Sequence, residues 1–285
     1  MSKQDVFLKS NPLMRNLKLQ IKKLASLLKL NKLLIYQLIK REIAVRYRGS
    51  KLGMFWSFLT PILMLVIYTF VFSIVFKARW GTSNDNNIEF ALILFCGISV
   101  FNLFSEIIIQ SPRLIIGNVN YVKKVLFPLE ILPLTLIGSA LFHYVIQLLI
   151  LLLGILFTYS TIHWTVVFLP LVLLPLLLVA LGLSWFLASL GVFIRDIGHI
   201  ITLFMQGLMF LSPIFYPVSS VPEKFRALLF LNPMSYVVED IRKILIWGQM
   251  PDWSFMGTSL LLSTIMVVLG YIWFVKTKGG FADVL

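Results

Sequence analysis

The side chains of this 285-residue chain that could carry out chemistry are few and dispersed. His143, His163 and His199 stand far apart, and a metal site would need further ligands at a spacing the chain does not offer. The single cysteine, Cys96, lies inside an apolar run. It rules out a disulfide framework within the chain and reads as a small core hydrophobe. No GxxxxGK[ST] phosphate loop, Ser-His-Asp set or paired-carboxylate pattern is present, so nothing points to catalysis, nucleotide hydrolysis or a metal centre. What remains are cations placed against an apolar run. Arg46, Arg48 and Lys51, preceded by Lys32, Lys40 and Arg41, stand directly before Leu52, and only Gly49 and Gly53 punctuate the join. Cations at such a boundary attract anionic headgroups and also anchor the chain by the positive-inside rule; both readings are open.

Polar and aromatic groups recur at helical spacing inside the apolar runs. Thr135, Ser139, His143 and Gln147 fall every fourth residue and share one helix face. Polar groups in a membrane helix avoid lipid, so this stripe is either the wall of a pathway or a set of interhelical hydrogen bonds. Trp56, Thr60, Met64, Tyr68, Phe72 and Phe76 make a second track, either a packing belt or a surface for the C–H faces of sugars. Ala180, Ser184 and Ala188 form a small-residue face suited to close packing. Glu106 is expected to pair with Arg113 or with another helix, and no acid shares the helix face of His143.

These residues must be positioned by membrane-crossing helices. The chain is 59% hydrophobic and 13% charged, where soluble domains carry roughly a quarter charged residues. Its net charge of +13 is not that of a nucleic-acid-binding domain, because the basic residues cluster before and between apolar runs. The apolar runs predict an all-α integral membrane protein of six spans, near Met54–Phe76, Ile88–Ile109, Leu132–Phe157, Thr165–Ile194, Ile197–Phe215 and Phe255–Val275. Thirteen Lys and Arg residues precede the first span, and the bias of the later loops places both termini in the cytoplasm.

The chain divides into a basic N-terminal region, 1–52, and a transmembrane domain, 53–285. Leu13–Leu30 has apolar and basic faces, as in an amphipathic helix lying in the membrane interface or a solvated basic helix. The cytoplasmic loop Ser111–Ile131 offers Gly117, Asn118 and Asn120 for a turn and Tyr121, Lys123 and Lys124 on a short helix. It is a docking knob for a partner or an ordinary basic loop. About residues 213–252, two short apolar pieces follow proline-bearing turns, VPEK and LNPM. They predict a re-entrant hairpin on the outer side, bordering a pathway, or a cap on the outer surface.

Three stretches carry a family resemblance: LIKREIAVRYRGSKLGMFWSFLTPILMLVIYTFVF, GNVNYVKKVLFPLEILPL, and the run from GVFIRDIGHIITLF through SPIFYPVSSVPEKFRALLFLNPMSYVVEDIRKILIWG. In this order, over nearly the whole chain from about residue 30, they resemble the permease subunits of ABC-2-type polysaccharide exporters. The resemblance implies a homodimer of six-span subunits in the bacterial cytoplasmic (inner) membrane. It also implies a separate ATPase subunit that binds ATP-Mg, no cofactor in this chain, and a lipid-linked polysaccharide as cargo, with O antigen foremost. It further implies that the N-terminal helix and the loop Gly117–Lys124 seat on the ATPase, that Arg46, Arg48 and Lys51 stand where substrate is admitted, and that Tyr216, Asn232 and Pro233 help form an outer gate. Sugar passing between subunits would meet Trp56, Tyr68, Phe72, Phe76, Ser139, His143 and Gln147. The rival readings are an ABC-2 permease for another lipid or a drug, and a membrane-embedded glycolipid-modifying enzyme.

Overall fold

A computed structural model describes residues 26, 29–75, 80, 87–123 and 127–285. Among the described residues every regular element is helical. The main helices are α1 (Lys32–Arg46), α2 (Trp56–Tyr68), α3 (Asn87–Gln110), α4 (Val119–Val122), α5 (Leu132–Tyr159), α6 (Leu169–Phe193), α7 (Ile197–Leu211), α8 (Glu223–Leu231), α9 (Pro233–Leu245), α10 (Trp253–Thr277) and α11 (Phe281–Val284). Most of the expected amphipathic segment Leu13–Leu30 lies outside the described residues, as do Phe76 and Lys124.

Among the described residues five helical segments are long and apolar enough to cross a membrane: Gly53–Phe72, Ile88–Arg113, Leu129–Tyr159, Trp164–Phe193 and Trp253–Val284. The expected span Ile197–Phe215 differs. Its helix, α7, is 15 residues long, or about 22 Å, short of a hydrocarbon core of about 30 Å. It stops where Pro213 offers no N–H to the helix ladder.

The bundle is organised around α3. In the most apolar stretch of the span containing it, 78% of residues are buried, against 6% for the span containing α2, so α3 is enclosed and α2 lies open along one side. Against this core, α6 and α10 approach backbone to backbone. A Cβ on Gly270 would stand 2.0 Å from the Gly182 carbonyl oxygen, and one on Gly182 would stand 2.4 Å from that of Met266. The small face Ala180, Ser184 and Ala188 is buried, and the hydroxyls of Ser111 and Ser184 are hydrogen-bonded at 2.7 Å.

The two ends of the bundle are built differently. At the end carrying α1, Lys278 Nζ donates to the buried Glu130 carboxylate at 2.5 Å, and Trp185 Nε1 donates to the Glu130 carbonyl at 3.1 Å. At the other end, α8 and α9 form a pair of short helices. Asn232 caps α9 by accepting from Met234 N–H at 3.0 Å while donating to Ser212 Oγ at 2.8 Å, and Pro233 occupies the first turn, where no N–H is needed. Arg242 of α9 is fully buried. It donates to the carbonyls of Ile93 (3.2 Å), Pro213 (2.7 Å) and Ile214 (2.9 Å), and its guanidinium lies 4.3 Å from the Trp80 ring centroid. A buried cation is tolerable only when fully hydrogen-bonded, and here it ties α9 to α3 and to the end of α7.

Candidate functional site

The helix α1 packs on α5 through Leu38 and Ile39; a Cβ on Gly138 would meet Ile39 Cδ1 at 2.3 Å. The chain then turns through residues 47–53 into α2. Gly49 (φ +86°) and Gly53 (φ +52°) adopt the left-handed backbone that a side chain disfavours. This turn sets Arg46 over the space enclosed by α2, α3 and α5. A cavity of about 440 Å³ opens there, with Arg46, Trp56, Thr60, Glu106, His143 and Gln147 in its wall.

Three charged or titratable groups from three helices meet at this cavity. Arg46 Nη1 donates to Glu106 Oε1. His143 Nδ1 lies 2.9 and 3.2 Å from the two Glu106 oxygens and 3.0 Å from Arg46 Nη1. The carboxylate accepts only, so a bond from the ring requires the proton on Nδ1. Nε2 is buried and has no partner among the described residues, which also favours leaving it as a bare lone pair rather than an unsatisfied donor. One turn deeper, Asn102 Nδ2 donates to Gln147 Oε1 at 3.1 Å. The side chain of Arg46 is 45% exposed, while those of Glu106 and His143 are 12% and 8% exposed. The site therefore presents a half-open cation at its mouth, a carboxylate behind it and an amide pair on its wall. Such a surface can hold an anion at the rim and hydroxyl-rich groups inside. Among the described residues no cluster of three His, Cys, Asp or Glu could hold a metal ion.

The structure gathers some of the expected site residues and separates others. Arg46, Trp56, His143 and Gln147 share the cavity. Arg48 and Lys51 are exposed beyond its rim, and Ser139 is buried outside its lining. Tyr68 and Phe72 leave the cavity and join a separate aromatic cluster, with Phe72 stacked on Phe215 at 4.8 Å and Tyr68 6.0 Å from the same ring. In the loop, Arg41 of α1 donates to the Tyr121 hydroxyl and, at 3.1 Å, to Asn118 Oδ1, while Tyr121 stacks on Phe127 at 4.2 Å. Gly117, Asn120 and Lys123 are exposed beside it. Tyr216 donates to the Phe210 carbonyl at 3.0 Å, and Pro233 lines a second, apolar cavity of about 530 Å³ between α6, α9 and α10.

Two residues of the site were not expected there. Glu106 reaches Arg46 and His143 rather than Arg113, and supplies the acid that the face of His143 lacks on its own helix. Asn102 stands one turn from it. Their four-residue spacing on an otherwise apolar helix was the available signal.

The fold and this site define a multi-pass helical membrane protein with a charged, polar-walled cavity between its helices. The profile of the ABC-2 type transporter family matches residues 34–246, and the chain belongs to that family. It is 31% identical over 223 residues to the O-antigen export system permease protein RfbA of Myxococcus xanthus, covering 77% of this chain and 82% of the relative. Over 255 residues it is 24% identical to the protein of the same name from Klebsiella pneumoniae, covering 88% and 95%. The polysialic acid transport protein KpsM of Escherichia coli is 25% identical over 228 residues, covering 78% and 84%.

Proposed function

We propose that this chain is the permease subunit of an exporter that carries a lipid-linked polysaccharide, foremost O antigen, across the bacterial cytoplasmic membrane. Two copies form the pathway, each crossing the membrane six times, with α7 and the segment to Phe215 as the fifth crossing and α8–α9 as a re-entrant hairpin on the outer side. Both termini face the cytoplasm. A separate ATPase subunit binds ATP-Mg and drives transport, and this chain carries no cofactor. The observation that carries the reading is the Arg46-rimmed cavity with an aromatic and amide wall, in a chain whose relatives are named for O-antigen and polysialic acid export.

The mechanism follows from what such a cargo contains. Its phosphate linkage cannot enter hydrocarbon cheaply, so a cation at the inner rim lowers the cost of admission. Arg46 fills that role at the cavity, and Arg48 and Lys51 raise the local concentration of anionic headgroups from the exposed turn. Sugar units then pass Trp56, Thr60 and Gln147. Motion of the ATPase reaches the spans through α1 and the Gly117–Lys124 loop, which the Arg41–Tyr121 contact ties together.

The test is to co-purify the chain with its candidate ATPase subunit and measure ATP turnover in lipid, with and without lipid-linked polysaccharide. A stable complex whose turnover responds to the glycolipid is the expected result. A chain that binds no ATPase yet modifies a glycolipid by itself would overturn the proposal in favour of an enzyme.

A further inference from the structure

The contacts of Arg46, Glu106 and His143 cannot all be satisfied at once. His143 Nδ1 is within hydrogen-bonding distance of both the Arg46 guanidinium and the Glu106 carboxylate. With a proton on Nδ1 the ring donates to Glu106, and the Arg46 N–H at 3.0 Å then faces another N–H. Without that proton the ring accepts from Arg46, and its lone pair faces a carboxylate oxygen at 2.9 Å. Glu106 can accept from both at once through its two oxygens, so the contact that fails is the one between Arg46 and the ring, and withdrawing Arg46 still leaves the carboxylate with the His143 donor. The two donors differ in freedom. His143 is held on α5 with its ring 8% exposed, whereas Arg46 is 45% exposed at the end of α1, and only its Nη1 is hydrogen-bonded among the described residues.

We infer that Glu106 is a built-in stand-in for the cargo's phosphate: it pairs with Arg46 at rest and is kept by the Nδ1–H of His143 alone when a phosphate or pyrophosphate group takes Arg46. Arg46 binds the ligand, and Glu106 and His143 are positioning residues that set how easily it is released. The inference rests on the reading that Arg46 meets an anionic cargo. It adds specificity, because a neutral lipid cannot displace a carboxylate from a guanidinium. It also keeps the rim cation paired when no cargo is present, which limits the cost of holding a charge beside the bilayer.

The experiment uses the full-length permease with its ATPase subunit in lipid vesicles. Equilibrium binding of a radiolabelled short-chain prenyl pyrophosphate is measured, with inorganic pyrophosphate as competitor, alongside ATP turnover. Glu106→Gln, which leaves only a neutral amide beside Arg46, is expected to bind the prenyl probe roughly tenfold tighter, the scale of losing one charge-assisted competitor. Arg46→Ala abolishes binding in both backgrounds. His143→Phe weakens binding several-fold, His143→Asn restores it by returning an N–H near the Nδ1 position, and Glu106→Gln cancels the effect of His143→Phe. Glu106→Asp, which keeps the anion, guards against a folding defect in the glutamine variant and is expected to bind like the parent. Competition by inorganic pyrophosphate supports the site and assigns it to the phosphate group alone; binding of the prenyl probe without such competition supports it as a site for a headgroup presented from lipid. A parent that binds the probe, with Glu106→Gln no tighter, overturns the inference and leaves the transport reading standing. Parent and variant that both bind neither probe overturn the inference together with the role given to Arg46.

Discussion

Arg242 and Asp252 show what single residues do outside the cavity. Arg242 serves three carbonyls from two segments, so Arg242→Ala would orphan them and open a void. The expected cost is about 3–5 kcal/mol, the scale of breaking a buried charged network. It is checked by thermal unfolding of the purified permease in detergent, where Arg242→Lys should fall between parent and alanine because a single ammonium cannot reproduce the fork. Asp252 caps α10, accepting from the Ser254 hydroxyl at 2.7 Å and from the backbone N–H groups of Ser254 and Phe255. The Ser254 hydroxyl foremost, with those N–H groups, holds its carboxyl below the usual aspartate range. A depressed folded value means that the cap's stabilisation is present above the unfolded pKa of about 3.9 and is lost as pH falls through the folded value. Amide exchange at Ser254 and Phe255 should therefore be unchanged between neutrality and about pH 5 after correction for intrinsic rates, and should accelerate at lower pH; Asp252→Asn should remove that acid sensitivity.

At the scale of elements, helix contact is decided by glycine in some places and by a single cation in others. The α6–α10 contact leaves no room for a side chain at Gly182 or Gly270, since the obstructing atoms are backbone. Gly270→Val is expected to reduce folded yield sharply, whereas Gly257→Val, on the same helix with no atom within 4 Å of a Cβ, should be tolerated. Monodisperse yield from membranes reads both. The Arg41 contact joins α1 to the Gly117–Lys124 loop without burying either. Arg41→Ala is expected to leave basal ATP turnover of the complex intact and to lower its stimulation by glycolipid several-fold. Equal loss of both rates would make Arg41 part of the ATPase docking surface rather than of the coupling.

At the scale of the whole molecule, the span containing α2 is the least buried of the five among the described residues. Val66 on α2 and Leu269 on α10 are about equally exposed, at 60% and 59%, but only α2 also lines the Arg46 cavity, so two copies that share one pathway would meet along α2. The sole cysteine, Cys96, is buried, so an introduced thiol is read against a quiet background. Val66→Cys is expected to cross-link two copies in membranes, and Leu269→Cys is not. Cross-linking at Leu269 alone would move the subunit contact to α10.

Much of this architecture was legible in the sequence because its causes are local. Uncharged runs long enough to cross a bilayer, glycines at the Arg48–Gly53 turn, and Asn-Pro at the start of α9 each act over a few residues, and the observed elements follow them. The face shared by His143 and Gln147 could likewise be read from helical spacing. The cavity could not. Its central pairings cross 37, 60 and 97 residues of chain, and which helix faces which is settled by close packing of apolar surfaces that look alike in sequence. Only the tertiary structure decided that Glu106 answers Arg46 and His143, that Arg242 is a buried tie, and that Ser139 packs where Gln147 opens to the cavity.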